Sequence, residues 1–356
     1  MIYKDKTPVY IQLKNSLMLD IKNGRYPENS SLPAVNVIAD NAGVSVRTAY
    51  LAIQELIAEG ICFKRPKKGT IVGKSVKHSV CAVWANYNGE SPLEYPLASV
   101  FYCGLLQGCA ENNITPILIA DDPETVIKRY DRSYEFDFKG VIVLDYDKFN
   151  DSIELAKKFP DKKFFFVNYV MKNLDTLPPN MIAVVNDNYH GAYRMIEHYI
   201  SCGCKDFMFF SVKLDADDRT YHNRVKGALA ALKDYSLDFN KKNMIITAQW
   251  SQKKDFYLAM VKVIRSGRRP QVIFCVNDVI AAAVSKVLAE ENISGIKVCG
   301  YDYIFPYLSE KWGFDTVKVP YTKMVLKSLA CLESDEVNFE KVIRMQPEIK
   351  INRKEL

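Results

Sequence analysis

The sequence lacks the features that would mark a membrane protein, a disulfide scaffold or a nucleotide-binding enzyme. Among its 356 residues no apolar run reaches the roughly 18 that a membrane helix needs, and the opening MIYKDKTPVY has no uninterrupted apolar core like that of a secretory signal. A cytoplasmic location with no membrane partner is expected. The nine cysteines, at 62, 81, 103, 109, 202, 204, 275, 299 and 331, include no CxxC pair, so reduced thiols are expected rather than disulfides or a zinc site. Neither GxxxxGK(S/T) nor GxGxxG occurs, and the four histidines, at 78, 190, 198 and 222, are scattered without a carboxylate pattern beside them. No catalytic residue, metal ligand or cofactor is therefore assigned.

What remains is an ordinary globular composition, 48% hydrophobic and 25% charged, with length for two or three units at about 150 residues each. The charge is unevenly spread. Residues 1–75 hold 11 Lys or Arg against 6 Asp or Glu, while the other 281 hold 37 against 36. A compact basic segment ahead of a near-neutral body suggests a polyanion-binding module joined to something else, although a basic arm can also serve only solubility.

Within that segment Tyr10, Leu13, Leu17 and Ile21 recur at helical spacing, which predicts a helix over 7–23 ended by Gly24. Leu32-Pro33 leads into a second short helix through Val35, Ile38 and Ala39, broken at Gly43. Ser45 can cap a third helix running to about residue 59, with Ala49, Ala52, Ile53, Leu56 and Ile57 inward and Arg47, Thr48 and Gln54 outward. Residues 61–65 and 70–72 read as strands around the turn Pro66-Lys67-Lys68-Gly69. Three helices and a basic hairpin make a winged helix-turn-helix. Ser45, Arg47, Thr48 and Tyr50 on the third helix, with Asn36 on the second, are the candidates for phosphates and base edges in a DNA major groove. Lys64, Arg65, Lys67, Lys68 and Gly69 form the hairpin that would lie along the backbone, each phosphate contact adding about −0.9 to the salt slope of binding. A three-helix domain with a charged hairpin can also mediate protein contacts.

Residues 7–72 resemble the DNA-binding domain of the GntR family of bacterial transcription regulators, on PVYIQLKNSLMLDIKNGRY and SLPAVNVIADNAGVSVRTAYLAIQELIAEGICFKRPKKGTIV. Gly69 stands at that family's wing-tip glycine. Two positions depart from its pattern: Leu32-Pro33-Ala34-Val35-Asn36 replaces the usual Leu-Pro-Ser-x-Arg, and Val46 rather than arginine follows Ser45, the arginine standing one place later at Arg47. A shift of one helical position turns a side chain by about 100 degrees, so the operator sequence does not transfer with the fold.

From about residue 79 short apolar runs alternate with helical stretches. Strands are predicted near 80–86, 115–120, 140–144, 163–168, 182–185, 206–211, 244–247, 271–276 and 296–300, which implies an α/β body of parallel sheets in two doubly wound lobes. Ligands in such sheets sit beyond the carboxyl ends of strands and between lobes. The polar and aromatic residues there are Asn86, Asn168-Tyr169, Gln249-Trp250, Asn277-Asp278 and Tyr301-Asp302. Each has a plainer reading, Asn277-Asp278 as a helix cap and Trp250 as core.

Residues 79–356 resemble the effector domain of LacI-type repressors and periplasmic sugar-binding proteins, on FKGVIVLD, NDNYHGAYRMIEHYISCGCKDFMFF, RVKGALAAL, FCVNDVIAAAV, VCGYD, DTVKVPY and IRMQPEIKINR. The resemblance implies a periplasmic-binding-protein-like fold with Arg224 as the ligand-clamping arginine and Thr220 a turn earlier. It places Asn277 and Asp302 against sugar hydroxyls, Trp250 stacked on the ligand, Asn168 beside Tyr169 at a strand end, and Asn86 where an aspartate is usual. The expectation is a winged helix-turn-helix over 1–75 and a two-lobed effector-binding and dimerisation domain over 76–356. Such a protein would be a homodimeric transcriptional regulator reading double-stranded operator DNA under control of a monosaccharide. A sugar phosphate or nucleobase is the alternative effector. An enzyme and a transport binding protein are the alternative classes.

Overall fold

The computed structural model describes residues 7–65, 67–73, 78–85, 96–119, 122–131, 136–213, 217, 219–247, 253–334 and 340–352. Two compact units emerge, residues 1–79 with 127–138 and residues 80–126 with 139–356.

The first unit contains α1 (Val9–Lys22), α2 (Val35–Ala42), α3 (Val46–Ala58) and the hairpin β1 (Cys62–Arg65) and β2 (Gly69–Val72). Leu13, Leu17 and Met18 of α1, Ile38 and Ala39 of α2, and Ala49, Ala52, Ile53 and Leu56 of α3 share one core, so the helical spacing read from the sequence is what packs them. Gly43 ends α2 in the left-handed conformation, φ 62°, and Ser45 caps α3. The hairpin pairs Lys64 with Thr70 and Arg65 with Gly69, and its turn closes where Lys68 N donates to Arg65 O at 3.1 Å. Lys67, at φ 64°, and Gly69, at φ 81°, make that turn left-handed in two places. The arm is a winged helix-turn-helix.

Residues 78–356 form two lobes, of which residues 78–79 and 127–138 count with the first compact unit. Lobe 1 is built from β3 (His78–Trp84), α4 (Pro96–Glu111), β4 (Ile114–Ile119), α5 (Pro123–Asp131), β5 (Phe136–Val143), α6 (Phe149–Lys158), β6 (Lys163–Asn168) and β7 (Met181–Asn186). Lobe 2 follows with α7 (Asn188–Ser201), β8 (Phe207–Val212), α8 (Thr220–Asp234), β9 (Met244–Thr247), α9 (Lys253–Arg265), β10 (Val272–Cys275), α10 (Asp278–Glu290), β11 (Lys297–Asp302), α11 (Pro306–Trp312) and β12 (Asp315–Lys318). The chain then returns to lobe 1 with α12 (Tyr321–Glu333), which packs on α4, β6 and β7, and β13 (Val342–Met345), and ends in lobe 2 with β14 (Glu348–Lys350). The sheet orders are β13-β7-β6-β5-β3-β4 and β14-β12-β11-β10-β8-β9. Each therefore repeats the same doubly wound order, with a switch point between β3 and β5 in one lobe and between β8 and β10 in the other. β14 runs antiparallel to β12. The nearly unbroken apolar strands, such as Phe164, Phe165, Phe166 and Val167, are buried throughout, as strands of a covered parallel sheet are.

The nine predicted strands are all present, with β5 starting four residues earlier, at Phe136, and β3 ending at Trp84. Three C-terminal strands were not among them. β13 and β14 are short, lie at sheet edges and keep only part of their surface from water, so neither carries a continuous apolar run, and β12 hides two buried residues, Thr316 and Val317, between Asp315 and Lys318. All nine cysteines are free thiols, buried except Cys103 and Cys202. No described helix is long and apolar enough to cross a membrane.

The seat of lobe 2 is the close approach of α7 to α8. A Cβ on Gly227 would stand 2.1 Å from the Tyr189 carbonyl oxygen, so a glycine is required at that crossing. Gly227→Ala is expected to destabilise the body by about 1–3 kcal/mol through forced separation of the two helices, read as a lower urea midpoint at unchanged slope. A variant as stable as the parent would show that the helices yield without cost.

Candidate functional site

Two groups of side chains stand out, one in each unit. In the arm, the Ser45 hydroxyl accepts from Thr48 N at 3.1 Å and lies 2.8 Å from Thr48 Oγ1, so both hydroxyls serve the start of α3. Arg47 and Tyr50 are exposed on the same helix, Asn36 is exposed on the first turn of α2, and Lys64 places its ammonium 5.6 Å from the centre of the Tyr50 ring. Arg65, Lys67, Lys68 and Gly69 are exposed along the hairpin. The ten residues predicted for DNA thus stand on α2, α3 and the hairpin, all exposed but the half-buried Thr48.

In the body, chain connectivity brings the strand ends together. β7 ends at Asn186 and Asp187 caps α7 by accepting from His190 N at 3.1 Å. Arg224, in the second turn of α8, is 3% exposed and is held from three sides. Its Nε donates to Asn188 Oδ1 at 2.9 Å, its Nη1 to Val276 O at 2.7 Å just beyond β10, and its Nη2 pairs with Asp302 Oδ1 at 2.6 Å at the end of β11. The guanidinium lies 3.9 Å from the centre of the Tyr301 ring and 5.0 Å from that of Tyr221, so aromatic faces complete its enclosure. Burial disfavours the charge of the arginine, but the Asp302 carboxylate beside it and the surrounding phenols outweigh that and raise its pKa above the ordinary value. Burial also pushes the Asp302 carboxyl up, and the opposing pull of Arg224 and the Tyr321 hydroxyl, which donates at 2.9 Å, offsets this in part.

Around this pair the first and third chain crossings are bonded to each other and the second is bonded to Asp302. Asn186 Nδ2 donates to Asn188 Oδ1 at 3.0 Å and to the Tyr301 hydroxyl at 3.1 Å. Tyr321, beside Asp302, begins α12 on the second crossing. On the third, Gln346 Nε2 donates to Asp187 Oδ2 at 2.9 Å, and Asp187 N donates to Met345 O. Burial would raise the Asp187 pKa, yet the bonds from His190 N, Gln346 and the His190 ring hold it below the usual carboxylate value. A second set of bonds joins the lobes directly: Val170 N to Thr220 Oγ1 at 3.1 Å, Arg219 N to Val170 O at 2.6 Å and Lys172 N to Asp217 O at 2.9 Å.

The structure therefore brings Thr220, Arg224, Asn277 and Asp302 together in lobe 2 and sets Asn168 and Tyr169 next to Val170, which bonds Thr220 from lobe 1. Asn277 is also the helix cap of its plainer reading, since its Oδ1 accepts from Ile280 N at 2.9 Å. Tyr169 meets Tyr146 edge to face, 5.6 Å between centres. Asn86 and Trp250 lie outside the described residues. Asn168 and Asp302 end the corresponding strands of the two lobes, β6 and β11, and both have left-handed backbone, φ 89° and 106°, a strain of about 1–3 kcal/mol each that active strand ends commonly store. Sequence reasoning missed Asn186, Asn188, Tyr221 and Tyr321. The pattern Asn-Asp-Asn directly after a strand was the available signal for the first two, and the tyrosines carried none.

A model of the periplasmic binding proteins and sugar binding domain of the LacI family matches residues 104–335. The chain belongs to that family. Its LacI-family body follows an arm, residues 9–72, that matches the bacterial regulatory proteins of the gntR family. Along nearly its whole length the chain is similar to the arabinose metabolism transcriptional repressor of Geobacillus stearothermophilus, 20% identical over 92% of each chain. A LacI family transcriptional regulator from Enterococcus faecium with bound ribose superposes at a TM-score of 0.57, with 18% identity, over 77% of this chain and 98% of that one. The transcriptional regulator CelR in complex with cellobiose matches at 0.57 and 15% identity over 90% and 99%. With a GntR arm ahead of a LacI-family ligand-binding body, the protein is a transcriptional regulator and not an enzyme.

Asp302→Asn is expected to destabilise the body by about 3–5 kcal/mol, because it leaves the Arg224 charge buried without its partner. Arg224→Met combined with Asp302→Leu should recover most of that loss in urea unfolding, since the charge is then gone from both sides. Equal loss in the single and double variants would mean that packing, not charge balance, sets the cost.

Proposed function

We propose that this regulator works as a homodimer, reads a two-fold operator through the winged helices of residues 1–75, and answers to a neutral sugar bound between the lobes of residues 76–356. The Arg224–Asp302 pair at the lobe junction carries the reading. Three of the five guanidinium donors are used within the protein. Among the described residues this leaves two Arg224 donors, Asn277 Nδ2 and Asp302 Oδ2 without a partner, a mixed set of donors and acceptors that suits adjacent hydroxyls. Because Asp302 already balances Arg224, the pair offers no net positive charge to a phosphate. The relative named for arabinose metabolism and the neighbours holding ribose and cellobiose favour the same ligand class. Asn168, Tyr169 and Thr220 would meet the sugar from the lobe boundary, with Asn86 and Trp250 completing the site.

Binding would shift the lobes about the three crossings and, through the dimer, the spacing of the two arms. A coupling of about 1–3 kcal/mol is enough for a change of about 5- to 150-fold in operator affinity. For dimerisation, lobe 2 offers an apolar groove of about 490 Å³ between α10 and α11, lined by Tyr257, Val279, Ala282, Ala283, Leu308 and Trp312 among others. Tyr307 at its edge is 59% exposed, and Lys286 and Glu290, paired within the chain at 3.7 Å, flank it.

The deciding experiment is a thermal-shift screen of the full chain against pentoses, hexoses, their phosphates and nucleobases, since a ligand at 100 times its Kd adds about 2.7 kcal/mol of stability. A neutral sugar should stabilise the protein and change its affinity for selected operator DNA. Stabilisation by phosphates or nucleobases instead would overturn the choice of ligand. Tyr307→Glu should turn dimer into monomer in sedimentation with the fold intact; a persistent dimer would move the interface elsewhere.

A further inference from the structure

The first turns of α3 expose more apolar surface than phosphate contacts need. Val46 is 51% exposed and Tyr50, one helical turn on, is 46% exposed. Neither belongs to the core of the arm, which draws Ala49, Ala52, Ile53 and Leu56 from this helix. The neighbouring hydroxyls of Ser45 and Thr48 are engaged in the cap. This end of the helix therefore offers a DNA groove one charged reader, Arg47, beside an apolar surface made by Val46 and Tyr50. The Lys64 ammonium over the Tyr50 ring ties that surface to the basic hairpin. At the place directly after Ser45, where the GntR pattern has arginine, valine exchanges a fork of donors for a pair of methyl groups.

In the major groove a polar side chain finds a partner on every base pair, but an apolar one finds only the C5 methyl of a pyrimidine, which unmodified DNA carries on thymine. Against any other edge, Val46 would cover donors or acceptors and leave them unpaired, at a cost. We propose that Val46, flanked by Tyr50, selects a thymine in each operator half-site by contact with its C5 methyl group. The assignment rests on the reading of the arm as operator-binding and adds the base it prefers.

The test begins by selecting duplexes from a randomised pool with the full-length protein. Each thymine of the enriched half-site is then replaced by uracil, which removes the methyl and keeps every hydrogen-bonding group. Replacement in one half-site should weaken binding about fourfold, the effect of one buried methyl-sized group, and replacement in both about 15-fold. Val46→Ala, at a half-exposed position outside the core of the arm, should bring both ratios close to one while the salt slope, which phosphate contacts set, stays unchanged. A second pool with 5-methylcytosine in place of cytosine separates the two methylated pyrimidines, and thymine should stay enriched at the position. Tolerance of uracil everywhere, a full thymine preference in Val46→Ala, or replacement of the thymine by 5-methylcytosine would each overturn the proposal. Failure of the pool to enrich any sequence would instead count against operator binding itself, and the proposal would fall with it.

Discussion

A guanidinium taken out of water is tolerated only where its charge is answered and most of its donors are bonded, and Arg224, with three of its five donors used, meets both conditions beside the crossings between the two lobes. Asp302 supplies the charge, Val276 and Asn188 supply acceptors, and Tyr301 and Tyr221 supply faces. These five partners are placed by four elements, so the register of β10, β11, α7 and α8 is tied to one side chain. Gly300 shows how close the fit is, since a Cβ there would stand 2.3 Å from the Asp278 carboxylate that binds Tyr303 N and the Thr316 hydroxyl.

In the proposed function the same arrangement would link binding to movement. Asn186 and Asn188 sit on the first crossing between lobes, Tyr321 on the second and Gln346 on the third, and hydrogen bonds connect them either to the Arg224–Asp302 pair or to one another. A group that competes for Asp302 or Arg224 thereby acts on the segments about which the lobes turn. The bonds from Val170 and Lys172 to the start of α8 add a constraint that does not pass through the crossings, so rotation of the lobes must also break or keep those three bonds.

Much of this was legible in the residues before the fold. The third helix of the arm begins and ends where Ser45 and its apolar stripe place it, because capping and periodicity are local properties. The central strands were legible because burial on both faces leaves long apolar runs. The edge strands β13 and β14 were not, since pairing on one side alone leaves polar residues in place. In the site, Arg224, Asp302 and Asn277 could be named from strand ends and family pattern, whereas Asn186, Asn188 and Tyr321 earn their positions only through contacts between segments far apart in sequence. Val46 shows the converse, a residue whose departure from a family pattern was visible at once and whose exposure gives that departure a meaning.

The three crossings also set an order of events during synthesis. The apolar core of the arm draws only on residues 13–72, and the compact unit that holds it is complete at residue 138. Lobe 1 has no such early completion, because α12 and β13, which close its sheet and cover α4, come from residues 321–345. Lobe 2 waits for β14 at residues 348–350. On the ribosome the unit that holds the arm is therefore whole about 200 residues before the body is, and both lobes reach their full complement of strands within a few residues of each other.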